Sequence, residues 1–296
     1  MTSFLGIQIN TLDDGSLQVV QSGLIDSVLA LTGLSDCNSV SIPAETAPLA
    51  DHVDSPPRLE DWNYASAIGM LLFIAGNTHP EIAFAVNAAA RFTQKPMLQH
   101  ERAVKKICRY LKGCKNQGLI FRPSSNLTLD AYVDADFAGL YGSMDKQNPL
   151  SVKSRTGFVI TLSDTPLLWV SKLQSEIALS TTEAEYIALS QCIRQLIPIR
   201  RLLDEIQTIL SLEEFTSTAY STIFEDNQGC VKLANGPKMN PRTKHIALKY
   251  HHFREYVKSG DIRVQHVRSE DQKADIFTKG LVKAKFEHLR NLLCLW

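Results

Sequence analysis

Apolar and polar residues alternate over residues 4–9, Phe-Leu-Gly-Ile-Gln-Ile, and again over Leu17-Gln18-Val19-Val20. A period of two places successive side chains on opposite faces of a strand. Asp14-Gly15 between these runs has the composition of a hairpin turn. From Gly23 to Leu31 the apolar positions recur at helical spacing, whereas Ile42 to Glu60 is rich in proline and acid and predicts an extended loop. Tyr64 to Leu111 reads as helix, interrupted at His79-Pro80 and Lys95-Pro96, because proline disfavours helix in the residue before it. Turn-formers cluster at Arg122-Pro123-Ser124-Ser125-Asn126, where a domain boundary is expected.

Beyond that boundary the pattern changes. Leu127 to Val133 alternates as a strand, and Gly157 to Leu162 with Leu167 to Val170 predicts a hairpin around Asp164-Thr165-Pro166. Ser180 to about Leu196 predicts a helix with Tyr186, Leu189, Ile193 and Leu196 on its apolar face, stopped or kinked by Pro198. A short strand at Thr222 to Phe224 leads into a helix ending at Gly236-Pro237. A helix over Thr243 to Ser259 is closed by Gly260, a common left-handed cap. Ile262 to Val267 is a strand, and helix is expected from Gln272 onward. Strands and helices in this order predict one α/β domain around a mixed sheet.

Composition narrows the class. Hydrophobic residues make up 44% and charged residues 21%, with 31 basic and 31 acidic side chains. This is the profile of a globular protein, and zero net charge leaves room for nucleic-acid binding through a local basic patch. Charge is uneven: the first sixty residues are mostly acidic, while Arg102 to Lys115 and Lys238 to Arg290 are basic. Six cysteines without a C-x-x-C pair indicate neither a zinc site nor a disulfide framework, and predict reduced thiols. No signal peptide opens the chain, and the longest apolar run, Ala67 to Gly76, is too short to span a bilayer. A cytoplasmic or nuclear protein without a membrane partner is expected.

Candidate chemistry comes from acids. Asp134 follows the first strand of the second region, Asp226 follows the fourth, Asp275 lies in the last helix, and Glu183 or Glu185 opens the long helix. Carboxylates brought together from separate elements repel unless cations neutralise them. A set of oxygen ligands without nearby Cys or His favours magnesium or manganese over zinc. Two such ions about 4 Å apart can activate a water and stabilise a leaving oxygen at a phosphodiester. Ser180-x-x-Glu183 and Thr182-x-x-Glu185 both fit a capping box, so local sequence does not choose between the glutamates.

Several motifs now bear on identity: Tyr132-Val133-Asp134-Ala135-Asp136-Phe137-Ala138-Gly139, Lys153-Ser154-Arg155-Thr156-Gly157, Trp169-Val170-Ser171-Lys172 and Leu179-Ser180-Thr181-Thr182-Glu183-Ala184-Glu185-Tyr186. They continue with Asp226-Asn227-Gln228, Arg242-Thr243-Lys244-His245 and Ala274-Asp275-Ile276-Phe277-Thr278-Lys279. In order and spacing this set resembles the end of the Pol polyprotein of copia-type LTR retrotransposons. Residues 4–9 resemble the hairpin after the polymerase active site, and Tyr64 to Ile120, including Arg109-Tyr110-Leu111-Lys112-Gly113, the thumb-side region.

The resemblance implies two domains: a mainly helical reverse-transcriptase thumb or connection segment over 1–124, and an RNase H domain over 125–296. The latter has an RNase H-like α/β fold, a mixed five-stranded sheet flanked by helices. By the same resemblance, Asp134, Glu185, Asp226 and Asp275 are the catalytic residues and hold two magnesium ions, with manganese as a substitute. Glu185 is favoured over Glu183 because Ala188 supplies the small helix residue three positions later. Asp136 is a second acid near Asp134. Thr182 and Gln228 lie along the minor groove near ribose 2′-hydroxyls, and Arg242, Lys244 and Lys249 hold phosphates. The implied partners are an RNA–DNA hybrid and the rest of a reverse-transcriptase polyprotein, and the implied location includes virus-like particles.

Departures are Phe137 at a common Trp position and a long Leu140 to Val152 loop. His266 stands near where some RNases H keep a histidine for product release, although a structural role fits a strand histidine better.

Other functions fit less well. Tyr132-Val133-Asp134-Ala135 looks like a damaged polymerase turn, but the hairpin that should follow such a turn already occurs at Phe4, so primer extension is not expected. An integrase needs a glutamate roughly 35 residues after its second aspartate; counting from Asp226 reaches Ile262. The remaining alternative is a non-catalytic hybrid-binding or structural fragment of a decayed element.

Overall fold

In a computed structural model, residues 3–50, 55–123, 127–143, 147–210, 220–236 and 251–296 are described. The chain forms two compact units. The first comprises Met1–Arg122, Gly139–Val152 and Lys279–Trp296, and the second Pro123–Ala138 and Lys153–Thr278. The division departs from a single cut near residue 124 in two places: the 139–152 loop and the C-terminal helix both belong with the first unit.

In the first unit, β1 (Ser3–Phe4), β2 (Ile7–Thr11), β3 (Leu17–Val20) and β4 (Leu119–Phe121) form an antiparallel sheet in that order. The run at residues 4–9 is two strands rather than one. Leu5 and Gly6 both have positive φ, which turns the chain within two residues. Asp14-Gly15 makes the expected β2–β3 turn: the Ser16 N–H donates to Asp14 Oδ1 at 2.9 Å, and Gly15 has φ 81°. Helices α1 (Ser22–Leu31), α2 (Tyr64–Asn77), α3 (Ala83–Ala90) and α4 (Leu98–Gly113) follow, with a 3₁₀ turn at Pro80–Ile82. The helix breaks therefore fall at the two predicted prolines.

The second unit carries the five-stranded sheet. Its strands are β5 (Leu129–Asp136), β6 (Arg155–Leu162), β7 (Thr165–Leu173), β8 (Ser221–Glu225) and β9 (Ile262–His266). Their order is β7-β6-β5-β8-β9, with β7, β6 and β5 antiparallel and β8 and β9 added in parallel. This is the mixed five-stranded sheet that the resemblance implies. Helices α5 (Thr181–Leu210), α6 (Gln228–Asn235) and α7 (Arg254–Ser259) accompany it, and Gly260 takes the left-handed cap at φ 89°. Ala131, Val133, Ile160 and Ile223 of the sheet pack with Ile187, Ala188, Leu189, Cys192 and Ile193 of α5 in one buried core.

Three expectations need correction. The β6–β7 turn is Ser163-Asp164, both at positive φ, and Pro166 sits inside β7. It is tolerated because β7 is an edge strand. Pro198 neither stops α5 nor ends its packing. Pro198 and Arg194, whose carbonyl loses its usual partner, both lie on the exposed face, while Ile193, Leu196 and Ile197 remain buried. Finally, the segment from Gln272 is not one helix. A 3₁₀ turn at Lys273–Phe277 is followed, after a break, by α8 (Lys283–Cys294). Among the described residues no helix is long and apolar enough to cross a membrane.

Gly157 on β6 is paired in register with Asp134 and lies under the 3₁₀ turn. A Cβ there would stand 2.5 Å from Thr278 Cγ2, 2.9 Å from Phe277 Cβ and 3.1 Å from Ala274 O. Gly157→Ala is therefore expected to destabilise the protein by about 1–3 kcal/mol, read as a lower urea midpoint at unchanged slope.

Asp130 supplies a second test. Its Oδ1 accepts the Thr222 N–H at 2.9 Å where β8 begins. Burial raises its carboxyl pKa above 3.8, the Thr222 bond opposes this, and Asp164 adds to it. A raised folded pKa means stability is fully present below the unfolded value and is lost as pH rises through the folded one. Asp130→Asn keeps the acceptor without the charge. Its midpoint should match wild type at about pH 3 and exceed it at about pH 7.

Candidate active site

Four structural elements of the second unit bring acids to one end of the sheet. Asp134 is the sixth residue of β5, Glu185 the fifth of α5, and Asp226 follows β8 directly. Carboxylate oxygens of these three residues lie within 4.8 Å of one another. Asp134 and Glu185 are each 3% exposed, while Asp226 is half-buried. Asp275 lies in the Lys273–Phe277 turn, is also buried, and stands outside this 4.8 Å group.

The turn that carries Asp275 is nevertheless fastened to Asp134. The Gln272 side chain donates to Val133 O at 2.8 Å and accepts from Ala274 N at 3.2 Å, pinning the turn to β5. Thr278 donates its hydroxyl to Asp134 Oδ2, and its N–H bonds Asp275 O at 3.2 Å. Lys273 stretches away from the acids, with Nζ 4.8 Å above the Tyr132 ring and 3.7 Å from Asp164. On the other side, Ser269 Oγ donates to Asp226 Oδ2 at 2.7 Å. Hydroxyls thus hold the Asp134 and Asp226 carboxylates in place.

The structure separates the two glutamates that local sequence leaves equivalent. Ser180 Oγ accepts the Glu183 N–H at 3.2 Å, and Glu183 Oε2 accepts the Leu179 N–H at 2.8 Å. Glu183 is thereby engaged in the reciprocal cap of α5. Glu185 joins the acid group.

Sequence reasoning missed Glu225, the last residue of β8, which is fully buried and in register with Val133 and His266. Its Oε1 accepts the Asn227 N–H at 3.0 Å. Burial pushes the Glu225 carboxyl well above its usual range; the Asn227 bond opposes this, and the charges of Asp134 and Asp226 add to it. The signal available in sequence was an acid immediately before Asp226. The buried Cys230 thiol is also pushed up, by burial first and then by Glu225 and Glu185. The three residues of the acid group themselves offer oxygen donors only.

Of the residues expected along a substrate, Thr182 lies at the start of α5 and Gln228 opens α6. A Cβ on Gly229, next in the chain after Gln228, would stand 3.0 Å from Thr182 Oγ1 and 3.0 Å from Asn227 Oδ1. Asn227 caps α6 by accepting the Cys230 N–H at 3.0 Å. Asp136 pairs in register with Arg155, and His266 is exposed at the end of β9. Arg242, Lys244 and Lys249 lie outside the described residues.

No family model matches the chain. It is 34% identical to the retrovirus-related Pol polyprotein from transposon RE1 of Arabidopsis thaliana, over 96% of this chain and 18% of that protein. It is also 34% identical to the Pol polyprotein from transposon TNT 1-94 of Nicotiana tabacum, over 94% of this chain and 20% of that one. The chain thus spans about a fifth of the length of these curated relatives. Among solved structures it is similar to LC11-RNase H1 in complex with an RNA/DNA hybrid, at 17% identity and a TM-score of 0.31, covering 51% of this chain and 94% of that one. With its ordered motifs and this sequence identity along nearly its whole length, the chain is related to a segment of the retrovirus-related Pol polyproteins of copia-type transposons.

Proposed function

We propose that the chain is a ribonuclease H acting in retrotransposon reverse transcription, cutting the RNA strand of RNA–DNA hybrids endonucleolytically. The observation that carries this reading is the approach of Asp134, Glu185 and Asp226, from three separate elements, to within 4.8 Å. An oxygen-only donor set of this charge fits magnesium, with manganese as a substitute. Asp134, Glu185 and Asp226 would hold two ions, with Asp275 in the adjoining turn. When bound, the ions supply Lewis-acid polarisation of a phosphodiester and a more acidic water.

The chain's own residues do the positioning. Thr278 and Ser269 hold Asp134 and Asp226 in fixed orientations, which lowers the reorganisation needed when substrate arrives. Water attacks the phosphorus and the bond to O3′ breaks. One piece keeps a 5′-phosphate, and the other gains a proton as its 3′-hydroxyl. Thr182 and Gln228 contact the 2′-hydroxyls that separate RNA from DNA. Arg242 and Lys244 hold phosphates and make binding salt-sensitive. Residues 1–124 serve as the polymerase-side thumb or connection segment, and the cutting chemistry belongs to residues 125–296.

Hydrolysis of a labelled RNA–DNA hybrid in magnesium, with EDTA as control, tests the assignment. Asp226→Asn should lower cutting by at least about a hundredfold, since loss of an ion ligand forfeits several kcal/mol of transition-state stabilisation at about 1.4 kcal/mol per decade. Hybrid binding should persist. Equal cutting by both proteins would exclude the site, while hybrid binding without cutting by well-folded wild type would favour a non-catalytic module.

Metal linkage gives a second measurement. In EDTA, Asp134→Asn relieves repulsion and should raise stability by on the order of 1–3 kcal/mol. Added magnesium should raise the Tm of wild type and leave that of the variant nearly unmoved. A magnesium-induced shift of equal size in both would count against Asp134 as a ligand.

A further inference from the structure

The first unit contains a second cluster of potential ligands, unrelated to the acids above. His79 and Glu81 flank Pro80 at the 3₁₀ turn before α3, and Cys114 caps the C-terminus of α4. Ligand atoms from these three residues lie within 4.8 Å of one another. All are buried, with His79 fully enclosed and Glu81 1% exposed. His79 Nδ1 is 2.8 Å from Glu81 Oε1, so the imidazole edge faces the carboxylate. The other carboxylate oxygen, Oε2, receives the thiol of Cys294 from α8 at 3.6 Å. A nitrogen, a carboxylate oxygen and the Cys114 sulfur thus meet within 4.8 Å, with the Cys294 sulfur hydrogen-bonded to the same carboxylate.

We propose that His79, Glu81 and Cys114, with Cys294 as the neighbouring fourth donor, form a structural site for a borderline-soft divalent cation of the zinc type. In a tetrahedral zinc site, bonds of about 2.0–2.3 Å put ligand atoms roughly 3.3–3.8 Å apart, a spacing that lies within the 4.8 Å bounding the His79, Glu81 and Cys114 ligand atoms. Sulfur among the donors selects against magnesium and calcium. The surroundings suit such a site. Trp296 meets the imidazole edge-on at 6.2 Å, Tyr110 Oη lies 3.4 Å from Glu81 Oε1, and Arg290 covers Trp296 at 4.7 Å. A bound cation would tie the turn before α3 to the ends of α4 and α8. The spacing 79, 81, 114 and 294 contains no C-x-x-C pair, so no zinc motif shows in the sequence. The competing account is a hydrogen-bonded His–Glu–Tyr–Cys network that needs no metal.

Cobalt(II) distinguishes the two, using the full chain stripped of metal under reducing conditions. The proposal expects one equivalent of cobalt to produce a thiolate-to-cobalt charge-transfer band and tetrahedral ligand-field absorption, both abolished by one equivalent of zinc. Asp226→Asn should keep the band, because the acid cluster has no sulfur, and so should Cys37→Ser. Cys114→Ser should weaken it, leaving only the Cys294 sulfur, and His79→Gln should weaken zinc binding at least about tenfold, the order seen when ligand support is removed. Circular dichroism establishes that each variant is folded. If Cys114→Ser does not fold, wild type decides alone: a zinc-dependent rise in Tm together with the sulfur band supports the site. A folded wild type with no sulfur-to-cobalt band, or a band of undiminished intensity in folded Cys114→Ser, overturns it.

Discussion

Mutual repulsion among Asp134, Glu185 and Asp226 is the constraint around which the second unit is organised. Two unit charges about 4 Å apart repel by roughly 4 kcal/mol at an effective dielectric near 20. Side chains on mobile loops would relieve this by moving apart. Here Asp134 is fixed within β5, between β6 and β8, and Glu185 sits one turn into α5 beside the buried Tyr186, Ile187 and Ala188. Burial of the α5 face against β5 holds the acids at a separation that suits a cation better than it suits the bare protein. Stability given up at the site is supplied by the core beneath it.

Convergence from separate elements also requires backbones to come close, and two glycines meet that need by lacking a side chain rather than by unusual dihedrals. Gly157 admits the 274–278 turn, so that Thr278 reaches Asp134 and Asp275 lies beside the same strand. Gly229 leaves Thr182 room at the start of α6. Gln272 joins the first of these contacts to β5 through Val133 O. One buried amide therefore holds both the turn and the acid it carries.

How much of this could be read from sequence depends on how local each cause is. The Asp14-Gly15 turn, the helix breaks at Pro80 and Pro96 and the Gly260 cap are set by backbone preferences of a few neighbouring residues, and all were legible. Leu5-Gly6 was not, because a leucine at positive φ gives no turn signal. Pro198 misled, since its cost depends on whether the freed carbonyl faces water, a property of the packed helix. At the site the acids were legible by type and position. Glu183 and Glu185 were separable only once the cap bonds to Ser180 and Leu179 fixed which carboxylate was already engaged. Glu225 stayed hidden because a strand-end acid looks solvated until β8 is seen between β5 and β9.

Two helix N-termini also bear on the charge balance. Thr182 and Glu185 lie in the first turns of α5, and Asp226 and Asn227 lead directly into α6. Unpaired N–H groups and the aligned peptide dipoles give each terminus partial positive charge, worth about 0.3–1 kcal/mol toward a nearby anion. That offset is small beside the repulsion among three carboxylates. It acts without screening by side-chain motion, however, and it falls on the residues that the backbone already holds in place. Burial and the charges of Asp134 and Asp226 raise the Glu225 carboxyl pKa, which acts in the same direction. Helix ends and this raised pKa thus moderate the negative potential that Asp134, Glu185 and Asp226 create together.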